Sequence, residues 1–358
     1  MIRSLKLKNF TAFKDLELNF SPKLNLIIGA NASGKTHILK AIYASIYGFN
    51  QSFFRGDELR HDFIRDNNKY ISESLINVFK PDKVLGKLKK AHSEQGLKAE
   101  VSLCCLTINH QDLEIDYSFN NNSKQVKVID KKELNRFDTI QYPIFIPSKE
   151  IISLMKGFAS LYERHDLALD QTFYDLCQSL EFPELSELDE KSKWVIEKIE
   201  NLLGGKFIFH GSGKVDFKST SKQELPASLI AEGYKKIGVL YRLIETGTLF
   251  PGSSAPLLWD EPENNLNPQL LKLIAEILIE LARNGQQIII ATHDYVLLKW
   301  FDLLVDEGKG DEIKFHSLYN DSGDIKVDSQ DAFAKLSKNL ITNTFVELYE
   351  ADIEKALG

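Results

Sequence analysis

The chain has 358 residues, 43% of them hydrophobic, enough to bury a sizeable core as two domains or, as we expect, one domain with a large insertion. A formal net charge of −7 excludes a surface coated with positive charge for nucleic acid or an anionic membrane; only a local basic patch could bind DNA, with modest, salt-sensitive affinity. Three cysteines, with Cys104 and Cys105 adjacent and Cys177 far away, make neither a disulfide framework nor a metal pattern and are expected as small buried or half-buried residues in a reduced cytoplasm.

The chain opens on a strand-like run, Leu5-Lys6-Leu7-Lys8-Asn9-Phe10, with Phe13 shortly after, and no signal peptide is expected. No apolar run approaches the ~18 residues of a membrane span, so a soluble cytoplasmic chain without membrane contact is expected. Leu24-Asn25-Leu26-Ile27-Ile28 reads as a short buried strand, and Ile38, Leu39, Ile42 and Ile46 recur at helical spacing. Between them, Gly29-Ala30-Asn31-Ala32-Ser33-Gly34-Lys35-Thr36 fits the phosphate-binding P-loop pattern G-x-x-x-x-G-K-[ST] at every fixed position. Such a loop curls the backbone N–H groups of Asn31, Ala32, Ser33 and Gly34 around the phosphates of a nucleoside triphosphate at a helix N-terminus. Lys35 reaches the β/γ-phosphates and the Thr36 hydroxyl takes a Mg²⁺ position.

A polar helical stretch is expected over residues 50–98, where Lys80, Lys83, Lys87, Lys89, Lys90 and Lys98 cluster. The cluster reads either as a DNA patch or as a solvated helical face; the interspersed Asp82 and Glu94 and the lack of interleaved aromatics favour the face. Alternation through Ala99-Val101-Leu103-Cys105, Leu113-Ile115-Tyr117-Phe119 and Val126-Val128 predicts an antiparallel meander over residues 99–130, turning at Asn120 to Ser123. A buried strand is expected over Tyr142 to Pro147, with Gln141 beside it as a candidate phosphate-sensing glutamine or a structural residue. Helices fill residues 151–205, with Leu185, Leu188, Val195, Ile199 and Leu202 on one stripe.

Ala231-Glu232-Gly233-Tyr234-Lys235-Lys236 opens a helix carrying Ile237, Leu240, Tyr241 and Ile244 at helical spacing. Gly233 there could present backbone N–H groups to a phosphate, or the segment could be an ordinary helix start with Glu232 favoured by the dipole. Downstream, the strand in Ala255-Pro256-Leu257-Leu258-Trp259 ends in Asp260-Glu261-Pro262-Glu263. Asp260 is suited to hold Mg²⁺ and Glu261 to orient or deprotonate the attacking water. A further buried strand, Gln287 to Thr292, delivers His293, placed to sense a γ-phosphate. The tail predicts a hairpin around Asn320 to Gly323 and an amphipathic helix, with a break, from about Ser329 to Leu357.

The order Gly29 to Thr36, Asp260-Glu261-Pro262, then Ala291-Thr292-His293-Asp294 resembles the ABC-type ATPase heads of the SMC, RecF and OLD proteins, especially bacterial OLD-like AAA-family ATPases. The resemblance implies an α/β P-loop NTPase of ABC-head type spanning 1–358, with an antiparallel β-subdomain and a compact helical insertion. It further implies ATP and Mg²⁺ as ligands, slow hydrolysis, and an ATP-dependent head-to-head dimer, with higher oligomers left open. In such dimers a signature loop of one head completes the other's site; Ala231, Glu232 and Gly233 match that loop, with Ala231 in place of the usual serine. Glu263-Asn264-Asn265-Leu266-Asn267-Pro268 is similar to the D-loop, with Asn267 where transporters carry aspartate. The helices of 151–205 are too short for an SMC coiled-coil arm. The resemblance points to a switch for a separate effector, a nuclease or toxin, in bacterial anti-phage defence; the alternative is a RecF-like DNA-binding ATPase.

Overall fold

The computed structural model describes residues 1–55, 63–91, 96–129, 139–250 and 255–357. β1 (Ile2–Phe10) and β2 (Phe13–Asn19) alternate buried apolar with exposed polar positions and pair antiparallel, Phe10 opposite Phe13. β3 (Leu24–Gly29) is buried along its whole length, as a strand covered on both faces must be. Beyond the P-loop, α1 (Lys35–Arg55) packs on α2 (Phe63–Phe79) with Gly48 at the contact, where a Cβ would meet the Ile71 Cα at 2.6 Å. The expected helical stretch stops at Phe79 rather than reaching residue 98. Pro81 follows, Lys80, Asp82 and Lys83 take positive φ, and one 3-10 turn at Leu85–Leu88 leads onward; Glu94 lies outside the described residues.

β4 (Ala99–Leu106), β5 (Asp112–Phe119) and β6 (Lys127–Val128) form the meander and continue the β1–β2 hairpin into one antiparallel sheet, order β2-β1-β4-β5-β6. β7 (Ile144–Ile146) is shorter than the apolar run around it, because Pro143 and Pro147 cannot donate to a ladder. α3 (Met155–Arg164), α4 (Gln171–Leu180) and α5 (Glu190–Leu203) follow, α4 and α5 capped by Asp170 and Asp189. The expected leucine stripe is corrected here. Leu185 and Leu188 precede α5 and Leu202 is 42% exposed, while Ser192, Val195, Ile199 and Leu203 form the buried face. A small antiparallel sheet of β8 (Gly205–Phe209), β9 (Val215–Ser219) and β10 (Glu224–Pro226) precedes α6 (Glu232–Glu245).

The C-terminal third alternates β11 (Leu257–Asp260), α7 (Pro268–Arg283), β12 (Ile288–Thr292) and α8 (Tyr295–Leu304). It ends in a hairpin of β13 (Ile313–Asp321) and β14 (Asp324–Gln330) and a helix, α9 (Leu340–Leu357). The tail helix thus starts at Leu340, not near Ser329, because Ser329 pairs with His316 within the hairpin. The central six-stranded sheet runs β14-β13-β3-β12-β11-β7, parallel except for β14. Alternate residues of β3 feed two cores. Leu24, Leu26 and Ile28 face the cluster that includes α4 to α8, whereas Ile27 joins α1 and the antiparallel sheet. Gln287 pins the two sheets together: its carbonyl accepts from the Ile2 N–H (2.7 Å) and its amide donates to the carbonyls of Ile2 (2.7 Å) and Ser21 (3.0 Å). Among the described residues no helix is long and apolar enough to cross a membrane, and the three cysteines are free.

α1 is tied to α4 by two polar contacts, Lys40 to Asp170 (2.6 Å) and the Tyr43 hydroxyl donating to Asp175 (2.5 Å). Burial pushes the Asp175 carboxyl from 3.8 up to about 7. With the folded value above the unfolded one, the stabilisation contributed by its proton is complete below the unfolded value and is lost as pH rises through 7. Asp175→Asn keeps an acceptor for Tyr43, so its advantage over wild type should grow from pH 4 to pH 7 and level off at about 2–4 kcal/mol, given about 1.4 kcal/mol per pH unit. Thermal unfolding across pH checks this; parallel curves for both proteins would show that Asp175 ionises freely.

Candidate active site

The loop between β3 and α1 is shaped by two left-handed residues, Ala32 (φ +64°) and Gly34 (φ +92°), a backbone path that turns successive amides inward as an anion nest. Two glycines are demanded by packing. A Cβ on Gly29 would sit 2.7 Å from the Ser33 hydroxyl, and one on Gly34 would strike the Phe13 ring at 2.5 Å. The first hairpin therefore underpins the loop through Phe13. Asn31 and Ala32 are exposed, while Ser33 is buried with its hydroxyl unpartnered among the described residues. The Lys35 ammonium donates to the carbonyls of Gly29 (2.8 Å) and Ala30 (3.0 Å). Burial lowers its pKa, against the pull of Glu261, Glu263 and Asp260.

The Thr36 hydroxyl lies 2.9 Å from both carboxylate oxygens of Asp260, which ends β11 one strand beyond the neighbour of β3. Burial raises the Asp260 carboxyl to about 6. A buried carboxylate and a hydroxyl converging beside a phosphate loop are hard oxygen donors suited to Mg²⁺. Glu261 follows in a left-handed conformation (φ +47°), rare for a residue with a side chain and concentrated at functional sites. Its N–H donates to the Ala291 carbonyl (2.8 Å), and its Oε2 accepts from the Asn264 amide (2.7 Å). The turn carries Glu263 inward, where Oε1 accepts from the Thr292 hydroxyl (2.8 Å) and the His293 N–H (2.9 Å). His293 Nδ1 lies 3.2 Å from the same oxygen and 3.5 Å from Glu261 Oε1. The Glu263 carboxylate accordingly raises the His293 pKa. Burial works to push Glu263 up, but its bonds to His293 and Thr292 hold it below the usual range.

Lys35, Thr36, Asp260, Glu261 and His293 thus gather at the C-terminal edge of β3, β11 and β12. Other candidates lie apart. Ala231 and Glu232 are exposed at the start of α6, and Gly233 is buried against its own chain, where a Cβ would meet the Asn265 carbonyl oxygen at 2.6 Å. Glu232 accepts from the Asn265 amide (2.9 Å), and Asn267 caps α7 through the Leu270 N–H (3.0 Å). Of the two readings of Gln141 the geometry favours the structural one: β7 pairs Ile144 with Leu257, so Gln141 lies at the opposite end of the sheet from Asp260, and Ser148 follows the C-terminal end of β7. Sequence reasoning missed Glu263, Thr292 and Phe13 as parts of the site. For Glu263 the available signal was a third acid within Asp260-Glu261-Pro262-Glu263.

The profile of the AAA_23 family, described as an AAA domain, matches residues 4–225. The chain belongs to this family. It is 34% identical over 101 residues to a DNA replication and repair protein RecF of Lactococcus lactis subsp. lactis, a match covering 28% of this chain and 24% of that protein. It is 35% identical over 75 residues to a DNA double-strand break repair Rad50 ATPase of Archaeoglobus fulgidus, covering 21% and 8%. The chain thus spans about a quarter of the RecF relative's length. Among solved structures, an SMC head bound to the C-winged helix domain of ScpA superposes with TM-score 0.56 at 16% identity, covering 93% of this chain and 98% of that one. The SMC head domain of Thermotoga maritima gives 0.52 at 14%, covering 92% and 99%. The fold is the α/β fold of the ABC-type P-loop head.

Proposed function

We propose that the chain is an ATP-hydrolysing switch that closes into a head-to-head dimer on ATP and controls a separate effector. The observation that carries the reading is the gathering of Lys35, Thr36, Asp260, Glu261 and His293 on one sheet edge. Lys35 exchanges its two loop carbonyls for the β/γ-phosphates. Thr36 and Asp260 would hold a Mg²⁺ ion, which would supply positive charge against the phosphates. Glu261 takes the proton of a water whose oxygen bonds to the γ-phosphorus as the bond to the ADP oxygen breaks. His293, its proton favoured by Glu263, donates toward the γ-phosphate.

Ala231, Glu232 and Gly233, with Asn267 in the D-loop, would complete the partner's site in the dimer. The exposed start of α6 supports this reading, and Ala231 is a cleaner place to test it than Gly233, which its own chain fills. Ala231→Arg should block closure while ATP binding survives. Mixed with Lys35→Ala, one composite site carries both defects and the other neither, so part of the ATPase activity should return; no recovery in verified heterodimers assigns the segment a role within its own chain.

The resemblance to OLD-like proteins supports a nuclease or toxin effector in bacterial defence as the setting. RecF and Rad50 relatives favour a second reading, duplex DNA processing. Against it, Lys80 and Lys83 pair with Asp166, Lys87 with Asp82 and Lys90 with Asp324, so three carboxylates offset half of the charge of the six-lysine cluster. Salt-dependent DNA binding by the isolated chain would decide for the second reading; co-purification of a small effector without DNA affinity would decide for the first.

A further inference from the structure

We infer that Lys236 is a positioning residue that holds Glu261 in its catalytic posture and ties that posture to the exposed start of α6. The inference rests on the hydrolysis reading above. Lys236 lies one turn into α6 and is 3% exposed, and among the described residues no carboxylate pairs directly with its ammonium. It donates instead to two backbone carbonyls, that of Glu261 and that of Ser148 (3.2 Å). A buried ammonium bound to neutral carbonyls is costly to keep, and burial indeed lowers its pKa to about 8 against the field of Glu263, Asp260 and Glu261.

What it secures is the left-handed Glu261 peptide. The Glu261 N–H is fixed by Ala291 and the carbonyl by Lys236, so the backbone from which the carboxylate reaches Asn264 and His293 is held on both sides. The neighbouring Lys235 is also buried, donating to the Ser153 hydroxyl (2.8 Å) with Glu150 at 4.0 Å. The first turns of α6 are therefore anchored to the segment after β7 by two adjacent lysines, and one of them also grips the general base. A partner that shifts the exposed residues Ala231 and Glu232 moves the donor that sets Glu261.

The test is a double-mutant cycle on the full chain, reading ATP affinity, melting temperature, kcat and KM. Lys236→Met should leave ATP affinity and KM within about twofold and lower kcat ~30-fold or more, as misplacing a catalytic group does. In a Glu261→Gln background the same substitution should cost no more than about twofold further, because the residue it positions is already disabled. Lys236→Arg, which keeps charge and donors, should recover at least ~10-fold of the lost kcat. If Lys236→Met fails to fold, Lys236→Gln takes its place in the cycle. Equal losses in both backgrounds, or a loss of affinity with kcat intact, would overturn the inference alone. Absence of turnover in the wild type would overturn the hydrolysis reading and this inference with it.

Discussion

Lys35→Ala should weaken ATP binding by roughly 10²–10⁴-fold while leaving the fold intact. Hydrogen bonds to a charged phosphate contribute about 1.5–3 kcal/mol each, and two of them lost correspond to that range at about 1.4 kcal/mol per tenfold. In the nucleotide-free chain the ammonium only tethers the carbonyls of Gly29 and Ala30, and burial already works against its charge. Removing it should therefore change stability by no more than about 1 kcal/mol. Calorimetric titration with ATP and thermal unfolding without it check the two halves; undiminished affinity would remove Lys35 from the phosphate site.

Glu261→Gln should lower turnover by roughly 10² or more with ATP affinity kept, because the amide cannot accept the water's proton but fills the same space. The left-handed backbone and the bond from Asn264 to Oε2 do not depend on the charge, so the side chain should stay in place. Single-turnover phosphate release measures it, and unchanged release would assign the base elsewhere.

The phosphate loop, Asp260, Glu261 and His293 were legible because each ends or directly follows a buried strand in a short local motif. Glu263 and Lys236 were not: the first is turned inward by a left-handed residue that periodicity does not reveal, and the second acquires its role only when α6 meets the turn after β11. Gln141 stands just ahead of β7, as read, and only the parallel pairing of β7 with β11, more than a hundred residues apart in sequence, shows that this start lies at the end of the sheet away from Asp260. The meander was read from its alternation, whereas its union with β1 and β2 is a long-range pairing of Leu5 with Leu103 and Leu7 with Val101. The hairpin around Asn320 to Gly323 was read from its turn residues, and its second arm, Asp324-Ile325-Lys326-Val327-Asp328-Ser329-Gln330, is a largely polar edge strand whose register is supplied by β13.

The central claim is that ATP, and not ADP, closes two heads. Sedimentation of the Glu261→Gln chain with Mg²⁺ and either nucleotide tests it most directly: the account predicts a doubled mass with ATP that reverts to the monomer with ADP, and a mass that is the same with both nucleotides would contradict it.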